Sequence, residues 1–278
     1  MKNSLILLAL SLLFSSAAIS QNLPARSPKS TLKQKVGLCD INIEYSRPSA
    51  RNRAIFGSLV PYKEVWRLGA NECTKITITQ PLIFGRSVLD TGTYAMFAIP
   101  QEDGKWDIIF NTDYKQWGSM SYDSEKDAVR VIGGASKNEH TESFEISINR
   151  ISNYGATILI RWEGIKVEVP FTVETDIHVE KEIETAIAAG KELEQVHYKA
   201  ADYYLQMKKD TKQAMVHIDK SIAIEEGYFN LFLKAQILHE DGDNKAALKL
   251  GKKAKKLAKK DKKPGWVDYM DRNMEEWK

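Results

Sequence analysis

Two hydrophobic periods in one chain predict an α+β multidomain protein. An N-terminal antiparallel β-sandwich or jelly-roll-like domain is expected over residues 35–175, followed by an all-α tetratricopeptide-like domain over 176–278. Three observations carry this expectation. Apolar residues alternate with period two from Val36 to about Val173, and after Glu174 they recur at helical spacing. Within the helical half, DTKQAMVHIDKSIAI (from Asp210) aligns with DNKAALKLGKKAKKL (from Asp243) at an offset of 33 residues.

The first element is a targeting segment. Lys2 precedes an apolar run from Leu5 to Phe14, and small residues follow up to Ser20. This is the order of a secretory signal peptide over 1–20, cut before Gln21. The run is shorter than the roughly 20 apolar residues that a transmembrane anchor needs. No cysteine stands at the cut for lipid attachment, so an exported protein, periplasmic or secreted, is expected. Residues 21–34 lack a period and are expected to be a flexible lead.

The strands come next. LCDINIEY, TKITIT and FEISIN place Ile41/Ile43, Ile76/Ile78 and Phe144/Ile146/Ile148 on inward faces. Further strands are expected at Arg86–Leu89, Thr93–Ile99, Trp106–Phe110, Ala128–Ile132, Thr157–Trp162 and Lys166–Thr172. Asp90-Thr91-Gly92, Glu102-Asp103-Gly104 and Gly133-Gly134 read as turns or a bulge between them. TILIRWEGIKVEVPFTV reads as a hairpin with Glu163-Gly164 at its tip.

The helical half opens with Ile177, Ile183, Ile187 and Ala188, and five more segments follow to Trp277. In the repeat Asp210 matches Asp243, Ala214 matches Ala247 and Ser221 matches Ala254, with small residues where helices approach closely. Stacked helix pairs of this kind present a concave face, so a peptide or protein partner is expected there. From Lys249 to Lys263 nine lysines face Asp261 alone. An anionic surface could meet them, but the half carries 20 basic and 19 acidic residues, so a solvated helix face is the expected role.

Whole-chain charge excludes little: 40 Lys and Arg against 37 Asp and Glu give +3 over 278 residues. That balance and the export signal speak against nucleic acid. Two cysteines remain, Cys39 and Cys73. In an oxidising compartment they could bridge neighbouring strands, closing a loop of about 35 residues, or stay as buried thiols. No histidine stands near either, and His140, His178, His197, His217 and His239 have no ligand-like spacing, so helix-surface histidines and no metal are expected. No phosphate-binding glycine loop or Gly-x-Ser-x-Gly elbow is present, and no cofactor is expected.

YSRPSARNRAIFGSLVPYKEVWRLGANECTKIT, GTYAMFAIP and WDIIFNTDYKQWGSMSYDSEKDAVRV resemble the domain-of-unknown-function family 2911, exported proteins common in Bacteroidetes. The resemblance spans nearly all of the chain after residue 20. It implies a β domain followed by tetratricopeptide-like helices ending near a Glu-Trp pair, here Glu276-Trp277. It implies no activity. Small or hydroxyl residues are expected in relatives where this chain has Cys39 and Cys73.

The densest polar and aromatic cluster is Trp66-Arg67-Leu68-Gly69-Ala70-Asn71-Glu72, joined by Arg53, Tyr94, Trp117 and Tyr122. Flat rings beside amide, guanidinium and carboxylate groups suit a glycan or a short peptide. The same residues also suit an ordinary loop, with Trp66 in the core and Asn71 capping a turn. If the protein were a glycan hydrolase, Glu72 would be one carboxylate and Asp113 or Asp123 the other. No complete catalytic set is visible. The chain is therefore expected to be a non-enzymatic binding and interaction protein, ahead of a carbohydrate-active hydrolase or a purely structural envelope protein.

Overall fold

The computed structural model describes residues 24–278, and the expected signal peptide lies outside the described residues. Met1–Thr175 and Asp176–Lys278 are two compact units. Among the described residues the first holds nine strands: β1 Lys29–Val36, β2 Cys39–Ser46, β3 Thr74–Ile78, β4 Leu82–Phe84, β5 Ser87–Leu89, β6 Gly92–Ile99, β7 Lys105–Asn111, β8 Asp127–Ser152 and β9 Gly155–Thr172. They form one antiparallel sheet in the order β1-β2-β3-β6-β7-β8-β9-β4-β5. One core holds Ile41, Ile76, Met96, Ile108, Ile158 and Phe171 from five of these strands, so the sheet curls around its own inner face.

The curl comes from the long β8–β9 ribbon. In β8 the inward residues are Val131 and Gly133, then Phe144, Ile146 and Ile148, so the inward parity changes along the strand. In β9 they are Ile158, Ile160 and Trp162, then Val167, Val169 and Phe171. Register shifts between Lys137 and Glu145 mark the change, and Glu163, opposite Thr141, has φ 51°. A bulge of this type adds a residue, bends the strand and reverses which face it presents. The expected hairpin at Glu163-Gly164 is therefore corrected: β9 runs through it unbroken. Beyond the bend, β8 reaches the chain just after β2, with Phe144 N–H donating to Pro48 O at 2.8 Å and Ala50 N–H to Glu142 O at 2.7 Å.

Gly133-Gly134 is not a turn either. Both residues pair within β8, opposite Trp106 and Lys105. A Cβ at Gly133 would stand 2.7 Å from Val167 Cγ1 and 3.0 Å from Ile108 Cγ1, so close packing demands glycine there. The flexible lead expected over 21–34 is likewise corrected from Lys29 onward. Lys29 pairs with Ser46 and the ladder continues to Val36 opposite Cys39, across a tight turn at Gly37 (φ +56°). This polar edge strand owes its order to backbone pairing more than to core burial, and periodicity does not report that.

The second unit contains six α-helices among the described residues: α1 Thr175–Ala189, which begins on the last residue of the first unit, α2 Leu193–Tyr203, α3 Thr211–Ile224, α4 Tyr228–Glu240, α5 Asn244–Lys260 and α6 Pro264–Glu276. One π-helical turn, Tyr204–Lys208, extends α2. The repeat alignment holds atom for atom at the caps. Asp210 accepts from Gln213 N–H at 3.0 Å, and Asp243 accepts from Ala246 N–H at 2.9 Å. Each satisfies a donor left open by its helix start. Ala214 and Ala247, and likewise Ser221 and Ala254, are all fully buried where helices meet. Among the described residues no helix is long and apolar enough to cross a membrane.

Candidate functional site

The segment before β3 makes an excursion from the sheet. Trp66 and Ala98 exchange both backbone hydrogen bonds, at 2.7 and 2.8 Å, so Trp66 takes a place on the edge of β6 beyond the end of β3. Residues 67–73 then loop out and return, closed by Thr74 N–H to Arg67 O at 3.3 Å and by the Thr74 hydroxyl on Leu68 O. Leu68 has φ 49° and Asn71 φ 61°, left-handed conformations that carry steric strain away from glycine. The excursion holds Arg67 at the rim of the barrel-like unit.

Trp66 is 8% exposed and its ring stacks on Trp162, with centroids 5.8 Å apart and planes at 18°. Its indole N–H donates to Gly69 O at 3.3 Å. Phe56 and Phe144 meet both rings edge-on. This aromatic cluster underlies a cavity of about 430 Å³, within the range for small-ligand sites. Its charged lining is Arg26, Arg51, Arg53 and Arg67 against Glu64 alone. Among the described residues none of these arginines forms a salt bridge. Arg67 Nε is buried without a hydrogen-bond partner, although native structures pair most such groups. Arg53 spends Nε and Nη2 on Ala50 O (2.9 Å) and Ser49 O (2.7 Å), which fixes its guanidinium against the loop held by β8.

Three of the seven expected binding residues therefore meet at this cavity: Arg53, Trp66 and Arg67. The other four do not line it. Asn71 donates to Ser27 O and Ser46 Oγ, both at 3.3 Å, and ties the leading segment to β2. Glu72 pairs with Lys29 at 3.2 Å and Lys75 at 3.4 Å, beside a crevice of about 30 Å³. The Lys29 ammonium foremost holds its carboxyl below the usual carboxylate range, a poor setting for a general acid. Tyr94 is in the core, with its hydroxyl on Asp90 O at 2.9 Å. Trp117 is 62% exposed and faces Glu72 through a backbone bridge.

The carboxylates considered as partners for Glu72 are engaged elsewhere. Asp113 pairs with Lys126 at 3.1 Å, and Asp123 accepts from Glu125 N–H at 3.0 Å. Tyr122 donates to Asp127 at 2.6 Å and accepts from Arg130 at 2.9 Å; burial and the Asp127 carboxylate push its pKa up to about 12. Arg26, Arg51, Ser119 and Trp162 also line the cavity and were not foreseen. The signal for Arg51 was present in RPSARNR, where arginines crowd a short loop. Trp162 is concealed by its place in a strand.

Cys39 and Cys73 are free and buried. The β2–β3 register, Ile41 with Ile78, puts Cys39 opposite Gln80 and Cys73 opposite Ser46. At about 3.3 Å per residue they stand roughly 20 Å apart along the strands. They also face opposite sides of the sheet, Cys39 in the main core and Cys73 in a small outer cluster with Phe97 and Ile109. A bridge between them is excluded by this geometry. His197 and His217, expected on helix surfaces, are instead buried and joined Nδ1 to Nδ1 at 3.0 Å. Among the described residues no three His, Cys, Asp or Glu side chains gather as a metal site. The lysine-rich helix α5 is partly neutralised, Lys253 by Glu226 at 2.6 Å and Lys255 by Asp271.

No curated protein and no solved structure matches the chain. A family model described as "Protein of unknown function (DUF2911)" matches residues 27–171, which span β1 to β9 and every residue of the cavity but Arg26, and the chain belongs to that family.

Proposed function

We propose that this is an exported, non-enzymatic binding protein. Its β unit takes a small ligand in the cavity at Trp66 and Arg67, and its helices form a tetratricopeptide-like platform for a peptide or protein partner. The observation that carries the reading is an open, ligand-sized cavity that combines an aromatic base with Arg67, whose buried Nε has no hydrogen-bond partner among the described residues. Such concave sites, with few directed polar groups, are the default place for a ligand. Export is supported by the apolar run Leu5 to Phe14, and the platform by the matched Asp210 and Asp243 caps of the repeated helix pairs.

The test is a thermal-shift screen of the chain against oligosaccharides, short peptides and small organic acids, alcohols and amines. A ligand that binds only the folded state raises the melting temperature by mass action. A dose-dependent rise that disappears in Ala70→Trp, which fills the cavity, is the expected result. No hit would leave a purely structural role instead, and hits that persist in Ala70→Trp would place binding outside this cavity.

A further inference from the structure

Taking the cavity as the ligand site, we infer that its ligand is a small organic oxyanion, a carboxylate or phosphate head on an apolar body. Four arginines and one glutamate line about 430 Å³, so the empty cavity concentrates positive charge in a concave, partly desolvated space. In proteins such guanidinium groups ordinarily find a carboxylate. Here Arg67 and Arg26 have no side-chain hydrogen-bond partner among the described residues, and Arg67 Nε is shut off from water as well. A negatively charged head supplies acceptors to the guanidinium nitrogens that face the cavity, and guanidinium matches carboxylate and phosphate oxygens in a planar fork.

The remaining groups are arranged to present these cations. The carbonyls of Ser49 and Ala50 accept from Arg53. Arg51 and Asn52 are both left-handed, at φ 53° and 56°, and Arg51 Nη2 reaches Arg26 O at 3.3 Å. Strained consecutive residues persist only where surrounding contacts enforce them, and they gather at binding loops. The second half of the lining is apolar, with Leu59, Val60, Pro61 and Val65 beside Trp66. A head of fully hydrated inorganic anion leaves that wall unused, whereas an aromatic or aliphatic body covers it.

Isothermal titration of the full chain at low salt tests this with phenylacetate, phenyl phosphate and the neutral 2-phenylethanol. The expected result is saturable binding of at least one anion, with the neutral compound weaker by about tenfold or more, the scale of one charged hydrogen bond. Arg67→Gln and Arg53→Gln each weaken the anion by a similar factor, and Lys245→Gln, on the helical unit, leaves it unchanged. Binding of 2-phenylethanol as tight as that of the anions would overturn the anion assignment while leaving the cavity a ligand site. Anion binding indifferent to both arginine substitutions, or no binding of any probe, would overturn it too. The binding reading itself stands or falls separately with the wider screen.

Discussion

Trp66 and Ala98 exchange backbone hydrogen bonds at 2.7 and 2.8 Å, and this pair decides where Arg67 stands. It anchors the chain on β6 one residue before the excursion to Thr74. The guanidinium is thereby held at the cavity, and its buried Nε has no hydrogen-bond partner among the described residues. A buried, unsatisfied donor lowers stability, so Arg67→Met is expected to leave the unfolding free energy unchanged or to raise it by about 1 kcal/mol. Urea denaturation measures this. A loss larger than about 1 kcal/mol would mean that Arg67 supports the fold.

Glu72 should behave as a surface ion-pair residue. Its pairs with Lys29 and Lys75 are largely exposed, and such pairs contribute about 0–1 kcal/mol. Glu72→Gln is therefore expected to shift stability within that range. Its depressed carboxyl pKa gives the sign of the pH effect: the contribution is present above the unfolded carboxylate pKa and is lost as pH falls through the lower folded value. Melting curves of wild type and Glu72→Gln should converge in acid; divergence there would contradict the assignment.

Gly133→Ala should destabilise the β unit by about 1–3 kcal/mol through overpacking. Its new Cβ would meet Val167 and Ile108 at 2.7 and 3.0 Å. Gly164→Ala is the control, with open space around its Cβ. Equal effects of the two in denaturant titration would rule out the close approach as the cause.

Thiol counting on the unfolded chain should find two free thiols, and reductant should leave the melting temperature unchanged. In the folded protein both should react slowly with a disulfide reagent at neutral pH. Burial raises the pKa of each thiol and keeps thiolate scarce. One disulfide by mass would contradict the strand register.

The His197–His217 pair makes the helical unit acid-sensitive. Burial lowers both pKa values, with the His197 imidazole adding repulsion at His217 and Lys220 at both, and Tyr204 stacks on His217 at 5.5 Å. The neutral pair is stable above the unfolded histidine value of about 6.5, and stability falls as pH drops below it because the unfolded chain takes up more protons. Helix unfolding followed at pH 7.5 and 5 should show the loss, and His217→Gln should reduce it. An unchanged pH slope in His217→Gln would show that other groups carry the effect.

The two-period division of the chain and the repeat at Asp210 and Asp243 were legible because hydrophobic spacing and cap chemistry are local properties. The bend at Glu163 was not, because a bulge and a hairpin turn produce the same change of inward parity from Trp162 to Val167. The edge strand β1 was not legible because its alternation of exposed and half-buried positions is carried mostly by polar residues, KSTLKQKV, which hydrophobic periodicity does not register. The rim residues divided for the same reason. Sequence placed Arg53, Trp66 and Arg67 in one set with Asn71, Glu72, Tyr94 and Trp117, but whether a side chain faces a cavity, a lysine or the core depends on partners far along the chain.

By itself, then, the sequence determined the architecture, the family and the polar-aromatic character of the Trp66–Glu72 segment, since each rests on residues close in order. Only the tertiary structure decided that Cys39 and Cys73 stand apart, that His197 meets His217, and that Arg26, Arg51, Arg53 and Arg67 surround one cavity. Those outcomes depend on strand register, helix stacking and the closure of β8 onto the chain after β2. Long-range backbone pairing sets these relations, and no local pattern encodes them.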